Sequence, residues 1–226
     1  MKKIKTDIAL IFSCTSCRGM AKAGCILLLL SAFALGGCLS KSPMDAQTFA
    51  FSAPVLPVTG ETAGGRVLGI KTLQVASPFD GRSFVYRTGE FSYERDAYAE
   101  FLGLPAEVLV APVTELLRGD GCFSAVVKMG SAAKPDALIE ININELYGDI
   151  RKPGNPSAVL AMQVILMDAK NGLTGKVILQ RDYSRRIPMK STAPAALMAA
   201  WNQALVEIFA DVASDLRSQR MNKSGT

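Results

Sequence analysis

Ser131-Ala132-Ala133-Lys134 has the S-x-x-K spacing that pairs a nucleophilic serine with its activating lysine in penicillin-binding enzymes. That chemistry needs the serine buried at a helix start, with further polar partners. Here the tetrad falls between two strand-like stretches, beside Gly130 and Pro135, and no Ser-Asp-Asn or Lys-Thr-Gly follows it. Gly172-Leu173-Thr174-Gly175-Lys176 holds the residue types of a phosphate loop without its spacing. Cys14 and Cys17 form a C-x-x-C pair, a redox or metal spacing, but they lie too close to the N-terminus to survive in the mature chain as read below. There is no histidine, which excludes a His-based dyad and an imidazole zinc site. No catalytic residue, metal site or exchangeable cofactor is expected.

Cys38 is the thiol with chemistry ahead of it. It ends Leu35-Gly36-Gly37-Cys38, and the two glycines give a narrow backbone that a peptidase cleft can accept. Before it run Lys2, Lys3, Lys5, Arg18 and Lys22, then unbroken apolar sequence from Cys25 to Leu30, extended by Ala32 to Leu35. A basic start, an apolar middle and a small-residue site are the three parts of a secretory signal. The apolar stretch is shorter than the ~20 residues of a membrane span. The tetrapeptide resembles the bacterial lipobox, with Gly36 where Ala or Ser is more usual. Residues 1–37 are therefore expected to be a lipoprotein signal peptide, with Met20 as a second candidate start. Cys38 would carry a covalent diacylglycerol and an N-acyl chain. One acyl chain holds a membrane only marginally, whereas two or three hold it stably. Leu39, and not Asp, follows the cysteine. By the sorting behaviour of such lipoproteins, that implies an outer-membrane anchor facing the periplasm.

The chain has 226 residues, 25 Lys+Arg and 20 Asp+Glu, and a formal net charge of +5. Five of the cations and one of the acids precede Cys38, so the remainder is nearly neutral. Nothing in that balance argues for nucleic acid as a partner. After Cys38 the only cysteine is Cys122, so no disulfide can form within the mature chain. Beside Phe123 and Val126 it reads as a buried thiol.

The elements follow from patterning. Residues 38–65 are rich in Ser, Pro, Thr, Gly and Ala and read as a flexible tether. Its one apolar patch, Phe49-Ala50-Phe51, suits an edge strand or a sticky spot. A domain over 66–218 and a disordered tail over 219–226 complete the chain. Strands are expected at 66–76, 82–88 and 91–94, the last one short. Pro105 opens a helix at a position where its missing N–H costs little. Leu109, Val113, Leu116 and Leu117 recur at helical spacing, with Pro112 predicting a kink or two short turns. Strands follow at 123–128, 136–150, 158–168 and 173–186, the last three as an antiparallel meander turned by Asn171-Gly172. Leu197, Trp201, Leu205, Ile208, Phe209, Val212 and Leu216 form one helical stripe that should cover a sheet face. The fold expected is α+β: one domain, a mostly antiparallel sheet in the order β-β-β-α-β-β-β-β-α, and two helices packed on it.

Several stretches carry a family resemblance. They are Val67-Leu68-Gly69-Ile70-Lys71-Thr72-Leu73, Pro78-Phe79-Asp80-Gly81-Arg82, Phe84-Val85-Tyr86-Arg87-Thr88, Tyr93 through Phe101, Pro105-Ala106-Glu107-Val108-Leu109, and the helix around Ala200-Trp201-Asn202-Gln203-Ala204-Leu205. Behind a lipobox, they resemble the ABC-type transport auxiliary lipoproteins, the PqiC-like group, over roughly 66–216. Phe101 departs from the Trp that members often have there. The resemblance implies a non-catalytic component beside an ABC transporter whose substrate-binding subunit carries MCE domains. Such systems are associated with moving lipids or other hydrophobic molecules between membranes. Self-association is a further expectation, and an outer-membrane assembly lipoprotein acting with a β-barrel is the alternative.

Tyr93, Arg95 and Tyr98 mix aromatics and charge on what reads as a loop, and loops carry contacts out of proportion to their length. They are the candidate partner-docking residues, against the plainer reading of a solvated connection. Arg181, Arg185 and Arg186 cluster near the end of the last strand, as a solvated face or a site for an acidic partner or lipid head group. The lipobox yields the first test: a Cys38→Ala chain should become soluble or stall in the inner membrane. Unaltered fractionation with the outer membrane would overturn the anchor.

Overall fold

The computed structural model describes residues 46–52, 65–128, 130–169 and 175–224. The expected signal, Cys38, most of the tether and Asn171-Gly172 lie outside these residues. Among these residues eight strands and two helices follow in order: β1 (Gln47–Phe49), β2 (Val67–Val75), β3 (Ser83–Arg87), β4 (Tyr93–Phe101), α1 (Pro105–Gly119), β5 (Ala125–Lys128), β6 (Ala137–Asp149), β7 (Ser157–Asp168), β8 (Val177–Pro188) and α2 (Pro194–Ser224). The expected order is kept, with β1 added in front.

All eight strands join one sheet. The sheet is mixed, which corrects the mostly antiparallel expectation. β6–β7 and β7–β8 form the antiparallel meander, and β3–β4 is antiparallel too. But β1–β4, β2–β5, β2–β6 and β3–β6 are parallel. Parallel neighbours need long crossovers, so no local turn signal announces them. β6 is the shared strand. One of its edges pairs with β7 along nearly the whole length; the other pairs with β2 over 137–143 and with β3 at 148–149.

The β6–β7 register slips between Ile143 and Glu145. A bulge residue, Asn144, resets which side chains face the helices. Ile139, Ile141 and Ile143 point inward before it, and Leu146 and Gly148 after it, through their β7 partners Leu166, Val164, Met162, Leu160 and Ala158. A Cβ on Gly148 would lie 2.8 Å from the Tyr86 ring and 3.1 Å from Leu197, so glycine is what lets β3 and α2 close over β6 there.

The helices cover one face. Pro105 starts α1, and Pro112 is absorbed without ending it. Leu109, Val113, Leu116 and Leu117 are buried as expected. On α2, all seven stripe residues are buried, and Trp201 is fully so. Its indole Nε1 donates to the Val159 carbonyl at 3.1 Å. Phe84 and Phe101 lie 5.0 and 5.6 Å from the indole, at distances where aromatic rings pack favourably. The helix runs on to Ser224, past the expected boundary at 218. Among the described residues no helix is long and apolar enough to cross a membrane.

β1 extends this aromatic cluster. Phe49 packs on Phe84 at 5.2 Å, Phe51 on Phe101 at 5.6 Å, and Phe51 is buried. Leu102 N–H donates to the Phe49 carbonyl and Ser52 N–H to Asn202 Oδ1. The apolar patch inside the expected tether is thus an edge strand. Phe51→Ala should lower the unfolding free energy by about 3 kcal/mol, as buried Phe truncations do. A urea-measured loss below ~0.5 kcal/mol, the scale of surface changes, would return residues 46–52 to the tether.

Candidate functional site

Tyr93, Arg95 and Tyr98 lie on β4, a strand and not the loop that was expected. The cause is its position. β1 covers β4 only at 99–101, so the stretch before it is an open edge, and an edge tolerates charges that mask strand patterning. A single β3 residue, Phe84, faces four residues of β4, 96–99. Asp96 holds this wide excursion by accepting the N–H groups of Tyr98 and Ala99 at 2.8 and 3.0 Å.

The three residues do different things. Arg95 donates to the Pro78 carbonyl at 3.1 Å and lies against Gly81, so it clamps the β2–β3 loop. Tyr93 packs edge-on against Phe79 and Tyr147 at 5.9 and 5.6 Å, with the Arg87 guanidinium over its ring. Tyr98, on the bulge, is 41% exposed and makes no such contact among the described residues, its backbone N–H alone being held. Of the three, Tyr98 is thus the one whose side chain is not tied into the fold among the described residues.

The arginine cluster splits by strand parity. Arg181 pairs with Asp215 at 2.6 Å, and Arg185 pairs with Glu207 at 3.3 Å and with Asp211, all on α2. Between them Tyr183 donates to Asp215 at 2.7 Å; burial and that hydrogen bond hold its hydroxyl pKa well above the usual range. These residues fasten β8 to α2. Arg186, one residue further, faces the other side of the sheet.

There it joins residues that patterning had not singled out. The Asn144 bulge turns Tyr147 and Asp149 away from the helices. Asp149, at the end of β6, is buried, and its carboxylate accepts from Arg151 Nε and Nη2 at 2.9 and 2.6 Å and from Arg186 Nη1 at 2.8 Å. Arg186 Nη1 also donates to Ser157 Oγ at 2.9 Å. The Arg151 bonds, reinforced by Arg186 and opposed by burial, hold the Asp149 carboxyl well below the usual carboxylate range. With Lys152, Asn155 and Pro188 these groups line a cleft of about 490 Å3. The signal was in the sequence, as the loss of alternation after Ile143 and the Arg151-Lys152 pair beyond it, but the fold alone brings Arg186 there.

Ser131 and Lys134 are exposed, and the Ser131 hydroxyl accepts the Ala133 N–H within a turn. That is not the buried helix start that S-x-x-K catalysis requires. Cys122 is buried, as expected. Among the described residues no group of three or more Cys, Asp or Glu side chains is placed to hold a metal ion.

The family model for the ABC-type transport auxiliary lipoprotein component matches residues 49–213. The chain belongs to this family. No curated protein matches it by sequence. Among solved structures it is similar to protein XCC0632 from Xanthomonas campestris, of the DUF330 family, at 19% identity and a TM-score of 0.67, over 80% of this chain and 100% of that one. It is also similar to the crystal structure of an uncharacterised protein at 12% identity and a TM-score of 0.60, over 76% and 99%. At these identities the likeness is one of fold. The family match begins inside β1, in keeping with a domain that starts before residue 66.

The Asp149 clamp sets a pH dependence. Its folded-state pKa lies below the unfolded value of about 3.9. The stability it contributes is present above pH ~4 and is lost as pH falls through the folded pKa, because the unfolded chain takes up the proton first. Asp149→Asn should cost about 1–3 kcal/mol at pH 6, the scale of hydrogen bonds to a charged group. It should also flatten the loss of stability below pH 4, measured by urea unfolding across pH. An unchanged acid limb would mean that the carboxylate is not held there.

Proposed function

We propose that the chain is a non-catalytic lipoprotein, anchored in the outer membrane through acyl chains on Cys38, and that it serves an ABC transporter with an MCE-domain subunit. The observation that carries this reading is the family match over nearly the whole folded region. The Leu35-Gly36-Gly37-Cys38 sequence ahead of it supplies the anchor. The cargo would be lipids or other hydrophobic molecules passing between membranes, and the lipoprotein would dock the periplasmic end of the assembly. The exposed Ser131 and Lys134 and the absence of histidine support a supporting role in place of chemistry. Tyr98 is the docking residue that best fits, as a half-exposed ring on a pinned bulge.

Membranes solubilised in mild detergent should yield, on a C-terminally tagged chain, an MCE subunit with its permease and ATPase by mass spectrometry. Recovery of a β-barrel alone would instead establish the assembly-lipoprotein alternative. Tyr98→Ala should reduce capture at unchanged stability. Full capture by that variant would take Tyr98 out of the docking surface.

A further inference from the structure

The cleft at the end of β6–β8 carries more charge than the fold needs. Arg151 and Arg186 share one buried carboxylate, Asp149, and Lys152 beside them makes no ion pair among the described residues. Three cations against one anion leave a surplus of two positive charges in one concave site. Arg151 donates through Nε and Nη2, and Arg186 through Nη1. Arg151 Nη1 and Arg186 Nε and Nη2 therefore keep N–H groups that are not engaged within the described residues. Both guanidiniums are fixed in place by Asp149, so little side-chain freedom remains to be lost on binding. Fixed, forked donors with surplus charge match the oxygens of a tetrahedral anion, which guanidinium groups bind in bidentate fashion. Asn155 adds a neutral amide to the lining.

The surroundings fit the same ligand. β3 and β6 run side by side into this end, with Arg87 opposite Asp149, and the turn that follows β3 carries Phe91, 87% exposed. A cationic cleft with an exposed aromatic at the same end of a sheet is an amphiphilic surface.

We propose that this cleft binds a phosphate-class anion, through Arg186, Arg151 and Lys152, with Asp149 as the positioning group. The site does not depend on the transporter reading above, since it rests on the cleft alone. Inorganic phosphate and a phosphate-bearing lipid headgroup share the chemistry, and one experiment separates them. The mature full-length lipoprotein, in neutral detergent at low salt, is titrated by calorimetry with inorganic phosphate. A second titration uses mixed micelles carrying phosphatidylglycerol, and a third uses micelles carrying uncharged diacylglycerol.

Saturable binding of phosphate and of phosphatidylglycerol alike, with none to diacylglycerol, supports the site with free anion as a sufficient ligand. Binding of phosphatidylglycerol alone supports it with the headgroup as the source. In either case Arg186→Gln should weaken binding about tenfold or more, as loss of a charge-assisted hydrogen bond does. Lys152→Gln, on an exposed side chain with no ion pair among the described residues, should weaken it about threefold and leave the urea midpoint unchanged. Arg181→Gln, on the α2 side of β8, should leave affinity as it is. Absence of binding to both phosphate ligands overturns the proposal, as does binding that Lys152→Gln and Arg186→Gln leave intact.

Discussion

β6 has no free edge along most of its length, and the rest of the molecule is hung on that fact. β7 takes one side; β2 and β3 divide the other between them, the first beside its opening half and the second beside its last residues. β5 then attaches through β2, β4 and β1 through β3, and β8 through β7. A strand so placed must satisfy three neighbours in register at once. Its side chains accordingly leave little latitude: Leu138, Ile139, Ile141 and Ile143 are all fully buried. Interiors pack as densely as organic crystals, so a shift of β6 would be felt through every strand that pairs with it.

The bulge at Asn144 makes this shared strand serve two faces. Without it the inward parity of Ile139, Ile141 and Ile143 would continue to Tyr147 and Asp149, and a carboxylate would be driven into the apolar layer under the helices, away from Arg151 and Arg186. With it, Gly148 comes inward, where only a hydrogen fits beside Tyr86, and Asp149 goes outward to two guanidiniums. One extra residue therefore separates an apolar layer that stabilises from a charged cleft that is open to ligands.

Much of this was legible in the residues, and what was not has definable causes. The meander over β6–β8 announced itself through alternation, and α2 through its seven-residue stripe, because both signals are local. Parallel pairing was invisible because its partners are brought together by crossovers and not by turns. β4 outruns the expected 91–94 because an open edge admits Tyr, Glu, Arg and Asp in succession, which masks strand patterning. β1 gives no period, being three residues among prolines and serines, and only the apolar Phe49-Ala50-Phe51 patch hints at an edge strand there. The arginines of β8 cluster in sequence, but the period of two assigns Arg181 and Arg185 to α2 and Arg186 to the opposite side. That division could have been drawn from numbering alone; the company Arg186 keeps could not.

The docking of β1 also fixes how far the domain can stray. Were the fold to begin at Arg66, the chain from Cys38 would be a leash of up to ~95 Å at the extended limit of ~3.4 Å per residue. With Gln47 already in the sheet, nine peptide links remain, or ~30 Å at most. If Cys38 holds the acyl chains, the domain is confined to a thin layer against its own membrane. Confinement of that kind raises effective concentration toward anything in the same layer and forbids engagement with anything beyond it. A partner rooted in the other membrane would have to bring its own length to the meeting.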